Sequence, residues 1–274
     1  TGSAVNIALP RISAEFGLNA VMMSWVTMAY LLSVAVFLLP MGKIADQLGR
    51  KRLYVWGNLV FMLASFICGF SGSGTSLIIS RLLQGIGGSM MVAISMAILM
   101  SAFEPHERGK VIGLNVASVY LGLSSAPVLG GILTQYLGWR SLFIINGGVS
   151  VIVAITIIIA LKTEWKDEKK SNFDWKGALI YIPSMTMMMY GFSKLPETSA
   201  IILLVAGITG MVLFVMVELK VTNPVLEVSI FSKNRVFTLS NISAFINYES
   251  TFSVSFLLSL YLQYAIGLSP RDAG

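Results

Sequence analysis

Gly42-Lys43-Ile44-Ala45-Asp46-Gln47-Leu48-Gly49-Arg50-Lys51-Arg52 places five charges in eleven residues. Residues 21–39 lie before it and 53–70 after it, and neither run contains an Asp, Glu, Lys or Arg. A helix needs about 20 consecutive apolar residues to cross the hydrocarbon core. A short charged break between two such runs therefore reads as a tight loop joining two membrane helices. Gly42, following Pro40, permits close approach of the next segment. Asp46 can cap, or face the positive N-terminus of, a neighbouring helix. Arg50, Lys51 and Arg52 cannot enter lipid and pin the loop at the surface. For the basic trio alone, an ordinary positively charged loop accounts equally well.

Outward from this break the pattern repeats. The 274 residues are 55% hydrophobic and 12% charged, with a mean hydropathy of +0.80, whereas soluble domains carry about 25% charged residues. Membrane β-barrels would need alternating segments of about 10 residues; the runs here are continuous and helix-length. The expected fold is an all-α membrane protein with spans at 21–39, 53–70, 77–103, 111–135, 142–161, 175–192, 200–219 and 236–264. A helix tail at 1–10 makes a ninth crossing. Pro10 is expected to break that first helix, leaving 10–20 as a turn. Residues 162–174 form the most polar connection and the expected linker between bundles.

The net charge of +6 lies in short loops, which argues for membrane orientation and against nucleic-acid binding. Fourteen of the nineteen Lys and Arg residues fall in one set of alternate loops, including Lys43, Arg50, Lys51, Arg52, Lys169 and Lys170. By the positive-inside rule this set is cytoplasmic. The single cysteine, Cys68, lies in an apolar run and cannot form an intrachain disulfide.

Two charges stand inside spans. Arg81, Gln84, Gly85 and Gly88 lie at i, i+3, i+4 and i+7, on one helix face. An Arg within a span costs at least about 2.5–3.5 kcal/mol on insertion scales, so it reads either as a functional cation or as a side chain snorkelling to the interface. Glu249, beside Tyr248 and Ser250, is expected to face a bundle interior or a wet cavity, as a proton carrier, a counter-charge to a cationic substrate, or a paired structural carboxylate. Gly122, Ala126 and Gly130 make a small-residue ridge suited to close helix contact, with Gly113, Gly131 and the helix-bending Pro127 nearby. His106 reads as solvated, and the methionines read as packing. No metal-ligand cluster, nucleophile elbow or phosphate loop occurs, so neither a metal site nor an enzyme activity is expected.

These stretches, in order and spacing, resemble the major facilitator superfamily. The hinge matches its Gly-x-x-x-Asp-x-x-Gly-Arg-Lys-Arg loop at Gly42, Asp46, Gly49, Arg50, Lys51 and Arg52. Arg81, Gln84, Gly85 and Gly88 resemble the fourth-helix motif, whose arginine is implicated in proton coupling. Gly113, Gly122, Ala126, Pro127, Gly130 and Gly131 resemble the fifth-helix antiporter motif, departing at Ala126, where the pattern has glycine. Asn6-Ile7-Ala8-Leu9-Pro10 resembles the end of the first helix in the fourteen-helix drug:proton antiporters, with Thr1 where that branch has an acidic residue. Phe173 to Gly177 and Asn223 to Leu226 resemble the segments before the seventh and ninth helices of the same branch.

The resemblance implies an incomplete major facilitator fold with about nine of fourteen helices. It comprises a six-helix bundle at 1–161 with its first helix truncated, a cytoplasmic linker at 162–174, two extra central helices at 175–219, and the start of a second bundle at 220–274. It implies a multi-pass cell-membrane antiporter that exports drugs or amphipathic and cationic compounds by alternating access, driven by the proton gradient with no bound cofactor. Its expected partners are the lipid bilayer, protons and a small-molecule substrate, and the expected state is a monomer. Asp46 and Arg50 would act at a cytoplasmic gate, and Arg81 in coupling. A metabolite or ion exchanger of the same fold, or a non-transporting membrane sensor, are the alternatives. No substrate-binding residue can be named from the motifs.

Overall fold

The structure, a computed structural model, describes residues 2–166 and 173–273. Its elements are α1 (Gly2–Phe16), α2 (Ala20–Leu48), α3 (Arg50–Gly69), α4 (Gly74–Ala102), α5 (Arg108–Tyr136), α6 (Arg140–Ala160), α7 (Trp175–Ser193), α8 (Thr198–Glu218), α9 (Ser229–Lys233), α10 (Arg235–Tyr264) and α11 (Pro270–Ala273). Among the described residues there is no strand. Six helices among the described residues, α2 to α6 and α8, are long and apolar enough to cross a membrane, which makes this a multi-pass membrane protein. Thr1, Lys169, Lys170 and Gly274 lie outside the described residues, as does the middle of the 162–174 linker.

The polar residues between the runs start the helices. Asn19 accepts from the Met22 N–H at 2.8 Å, Asp174 from Gly177 at 2.9 Å and Asn234 from Phe237 at 3.0 Å. Ser73 and Ser76 exchange reciprocal bonds at the start of α4. Each occupies an N–H that the first helical turn leaves without an internal acceptor.

Two sequence expectations change here. Pro10 does not break α1, which runs on to Phe16; the turn shrinks to residues 17–19. Proline removes the N–H that the carbonyl four residues earlier would have used, here Asn6. That carbonyl instead accepts from Ser259 Oγ of α10 at 3.4 Å, and Gln263 Nε2 donates to the neighbouring Ile7 carbonyl at 3.1 Å. The eleven-residue hinge is also no loop. Helix α2 continues through Pro40 to Leu48, Gly49 alone is non-helical, and α3 begins at Arg50.

Glycines set the packing of the first bundle. A Cβ on Gly85 would stand 2.6 Å from the Tyr30 carbonyl oxygen, and one on Gly87 2.5 Å from the Phe61 nitrogen. Helix α4 thus touches α2 on one face and α3 on the other, backbone to backbone, as small residues allow. The core gathers Val5, Leu9, Ile12, Val26, Cys68, Leu77, Trp139 and Phe143, all buried. Helices α7 and α8 pair through Gly191 and Gly207. This hairpin leans on α2, where Tyr181 donates to the Ala35 carbonyl at 3.0 Å. Helix α10 packs against α1, and its Tyr264 Oη reaches Met23 Sδ of α2 at 3.7 Å. Large apolar side chains such as Ile152, Ile159, Ile202 and Val205 point outward, the arrangement that a lipid surround favours.

Candidate functional site

The hinge residues gather at one end of the bundle. Asp46, in the last turns of α2, accepts from Arg50 Nε at 3.2 Å and Nη2 at 3.0 Å, while Arg50 Nη1 donates to Ser101 Oγ of α4 at 2.9 Å. Asp46 therefore holds the side chain of the first α3 residue rather than capping a helix, one of the two roles its place in the sequence suggests. The capping carboxylate is Glu164, from the linker, which accepts from the N–H groups of Lys51 at 2.9 Å and Arg52 at 3.2 Å. The Arg50 N–H donates to the Trp165 carbonyl at 2.8 Å. Nothing in the sequence pairs 164 with 51; only the return of α6 to the same end brings them together.

The two motif glycines differ. Gly49 has φ +110°, a region that disfavours other residues, and a Cβ there would lie 2.5 Å from Glu164 Oε1. Gly42 has open space around it, with nothing within 4 Å of a Cβ; the close approach expected there does not occur among the described residues. It borders a cavity of about 470 Å³ shared with Lys43, Asp46, Arg50 and, from the 220–228 loop, Val225.

Arg81 is fully buried, so it does not snorkel. Its Nε donates to the Val26 carbonyl at 3.0 Å and its Nη1 to Gln84 Oε1. Gln84 Nε2 in turn donates to Ser65 Oγ at 2.7 Å, and Ser65 to the Phe61 carbonyl at 2.6 Å. The guanidinium lies 4.5 Å from the centre of the Tyr30 ring, within cation–π range. Among the described residues, Nη2 has no hydrogen-bond partner. Gly88 sits against Tyr30 Oη, so the whole face at 81, 84, 85 and 88 is turned towards α2 and α3. One half of the Asn6 side chain is engaged nearby, Thr27 Oγ1 donating to its Oδ1 at 3.0 Å.

The fifth-helix residues divide. Gly130 packs on Ala4 of α1, its Cβ position 2.9 Å from the Ala4 Cα, and Gly131 packs on the Pro270 carbonyl. Ala126 is partly buried against the core. Gly113 and Gly122 have nothing within 4 Å, so the contact ridge is confined to the last third of α5. Pro127 borders a cavity of about 450 Å³ between α1, α5 and α10. Asn6, Tyr120, Ser124, Tyr248, Thr251 and Ser255 line it as well, and among the described residues no charged side chain does. The sequence signal for these residues was weak, since polar side chains scattered over three helices share no spacing.

Glu249, expected to face a bundle interior or a wet cavity, is exposed. Helix α10 reaches α1 through its last turns, at Ser259 and Gln263, and the preceding stretch with Glu249 stands clear. Cavity-lining Tyr248, Thr251 and Ser255 form one stripe of α10; Glu249 flanks it.

The opposite end is tied by a second polar cluster. Glu15 accepts from Trp139 Nε1 at 2.7 Å and pairs with Arg140 at 2.7 Å, and Arg140 Nη2 donates to the Ser71 carbonyl at 3.2 Å. His106 pairs with Glu104 at 3.4 Å on the surface.

Comparison with known proteins agrees with this architecture. The Major Facilitator Superfamily family model matches residues 1–274. The chain is similar to the riboflavin transporter RibZ of Clostridioides difficile (strain 630), 37% identical over 276 residues, covering 100% of this chain and 59% of the relative. It is also similar to the multidrug transporter protein MdtP of Bacillus subtilis (strain 168), at 33% over 279 residues, 100% of this chain and 51% of the relative. The methylenomycin A resistance protein of the same organism is 31% identical over 279 residues, 98% of this chain and 59% of the relative. The chain thus spans between 51% and 59% of the length of these relatives. An all-α bundle with a buried intramembrane arginine, a one-residue break at its charged motif, and a family match along its whole length leave one conclusion: the chain belongs to the Major Facilitator Superfamily.

Proposed function

We propose that the intact protein is a proton-coupled antiporter that expels amphipathic or cationic small molecules by alternating access. The observation that supports it is Arg81: a guanidinium with no solvent exposure, deep in an apolar bundle, with one nitrogen unpartnered. A charge so costly to bury points to a functional pathway. In this reading the proton gradient supplies the energy, no cofactor is bound, and Arg81 couples proton movement to the state of the bundle. The Asp46–Arg50 pair acts at the gate, while Gly130 and Gly131 hold α5 tightly to its neighbours. Glu249 supplies a further acidic group beside the α10 stripe. Residues 1–161 act as one bundle, 162–174 as the linker, 175–219 as the central hairpin, and 220–274 belong to a second bundle. The basic end faces the cytoplasm of the cell membrane, and the protein works as a monomer.

The relative named a riboflavin transporter, together with a cavity that no charged side chain among the described residues lines, supports a second reading: transport of a neutral, hydrogen-bonding metabolite. Everted vesicles carrying the intact protein separate the two. Proton release on adding ethidium, lost in Arg81→Gln, is the expected outcome. Riboflavin flux without ethidium flux would favour the second reading, and binding of either probe without any flux would overturn both in favour of a sensor.

A further inference from the structure

The linker and the hinge cap each other. The first four N–H groups of α3 have no acceptor within their own helix. The fourth, on Leu53, donates to the Gly49 carbonyl at 3.1 Å. The other three all go to the linker: Arg50 to the Trp165 carbonyl, Lys51 and Arg52 to the two oxygens of Glu164. In return, Lys51 Nζ donates to the Leu161 carbonyl, just past the C-terminus of α6. A carboxylate at a helix N-terminus and a cation at a C-terminus each meet the favourable end of a helix dipole. Arg52 Nε adds a longer contact to Glu164 at 3.8 Å.

We propose that Glu164 is a positioning residue of the gate, holding the first turn of α3 to the linker so that Arg50 is presented to Asp46 and Ser101. Three observations converge on it. Glu164 takes both backbone donors with separate oxygens, leaving Asp46 free for the guanidinium. Gly49 is the residue that makes room, because any Cβ there would collide with the Glu164 carboxylate. The neighbouring Trp165 carbonyl accepts from the Arg50 N–H at 2.8 Å, so two adjacent linker residues together hold the turn that carries Arg50. The inference rests on the gate role given to Asp46 and Arg50 above.

Hydrogen exchange on the intact protein, read by mass spectrometry at residues 49–55, tests it. First-turn amides have no helical acceptor, so slow exchange at Lys51 and Arg52 reports Glu164 itself. Glu164→Ala is expected to speed both amides about tenfold, the loss of a charge-assisted hydrogen bond. Glu164→Gln, which keeps its size and one acceptor oxygen, should release one amide of the two and serves where alanine prevents insertion. Arg52→Ala removes the ion pair and should leave both amides slow. Unchanged exchange in Glu164→Ala and Glu164→Gln overturns the clamp. In everted vesicles, Glu164→Ala should lower the maximal ethidium rate at unchanged half-saturation, and should add nothing in an Asp46→Asn background. An unchanged maximal rate despite freed amides overturns the positioning role. A wild-type protein that moves neither ethidium nor riboflavin refutes the transport reading instead, and the exchange result still decides whether Glu164 holds the hinge.

Discussion

Asp46 Oδ1 stands 3.0 Å from Arg50 Nη2 although the helix is broken at Gly49 between them. The i, i+4 spacing that joins neighbours on one helix here links the end of α2 to the start of α3. Both side chains are partly exposed, at 33% and 24%, so the pair contributes at most about 1 kcal/mol to stability. Asp46→Asn should leave the melting temperature of the intact protein nearly unchanged while reducing ethidium efflux about tenfold, a barrier change of about 1.4 kcal/mol. A mutant that melts early and transports normally would contradict this.

Gly49 and Gly42 occupy the same motif but should respond oppositely to alanine. At Gly49 the backbone is left-handed and the new Cβ meets Glu164, so Gly49→Ala should cost about 1–3 kcal/mol. Gly42 is mid-helix with open space, and Gly42→Ala should be neutral or stabilising by up to about 1 kcal/mol. Thermal unfolding of the two purified variants in one detergent checks the pair.

Arg81→Lys should fail to restore coupling. The planar guanidinium reaches the Val26 carbonyl and Gln84 at once, and an ammonium lacks that fork. Gln84→Leu, which leaves the buried guanidinium one acceptor short, should destabilise the protein by about 2–5 kcal/mol. Proton release in everted vesicles reads the first effect and thermal unfolding the second.

Glycine positions on α4 and α5 should separate packing from motif membership. Gly87→Ala drives a methyl group into the α3 backbone, an overpacking cost of about 1–3 kcal/mol. Gly122→Ala meets nothing within 4 Å and should not lower the melting temperature. If Gly122→Ala nonetheless abolishes coupled efflux, its role lies in another conformation of the transport cycle.

On α10, Tyr248→Ala should shift probe affinity because Tyr248 lines the cavity, whereas Glu249→Gln should alter proton coupling at nearly unchanged affinity. Normal proton-driven efflux and substrate range in Glu249→Gln would remove that residue from the mechanism.

Composition and periodicity sufficed for the all-α membrane class, because uncharged runs approaching 20 residues admit no other low-energy arrangement in lipid. The motif residues Asp46, Arg50, Arg81 and Gln84 were legible for the same reason: charge and amide groups stand out against an apolar background. Whether Pro10 ends a helix was not decided locally. A proline withdraws one N–H, and the freed Asn6 carbonyl is met by Ser259, 253 residues away.

Helix length at the hinge likewise depended on partners. The sequence marks 42–52 as charged, and charge alone reads as a loop; the structure keeps it helical because Arg50 pairs with Asp46 and the first turn of α3 is capped from outside. Glu164 was invisible in the sequence, since a carboxylate in a charged linker looks like any solvated residue until α6 returns it to the hinge. The burial of Arg81 and the exposure of Glu249 follow the same logic. Both are single charges in apolar runs, and only the neighbours that the fold supplies, α2 and α3 for the one and open surface for the other, distinguish them.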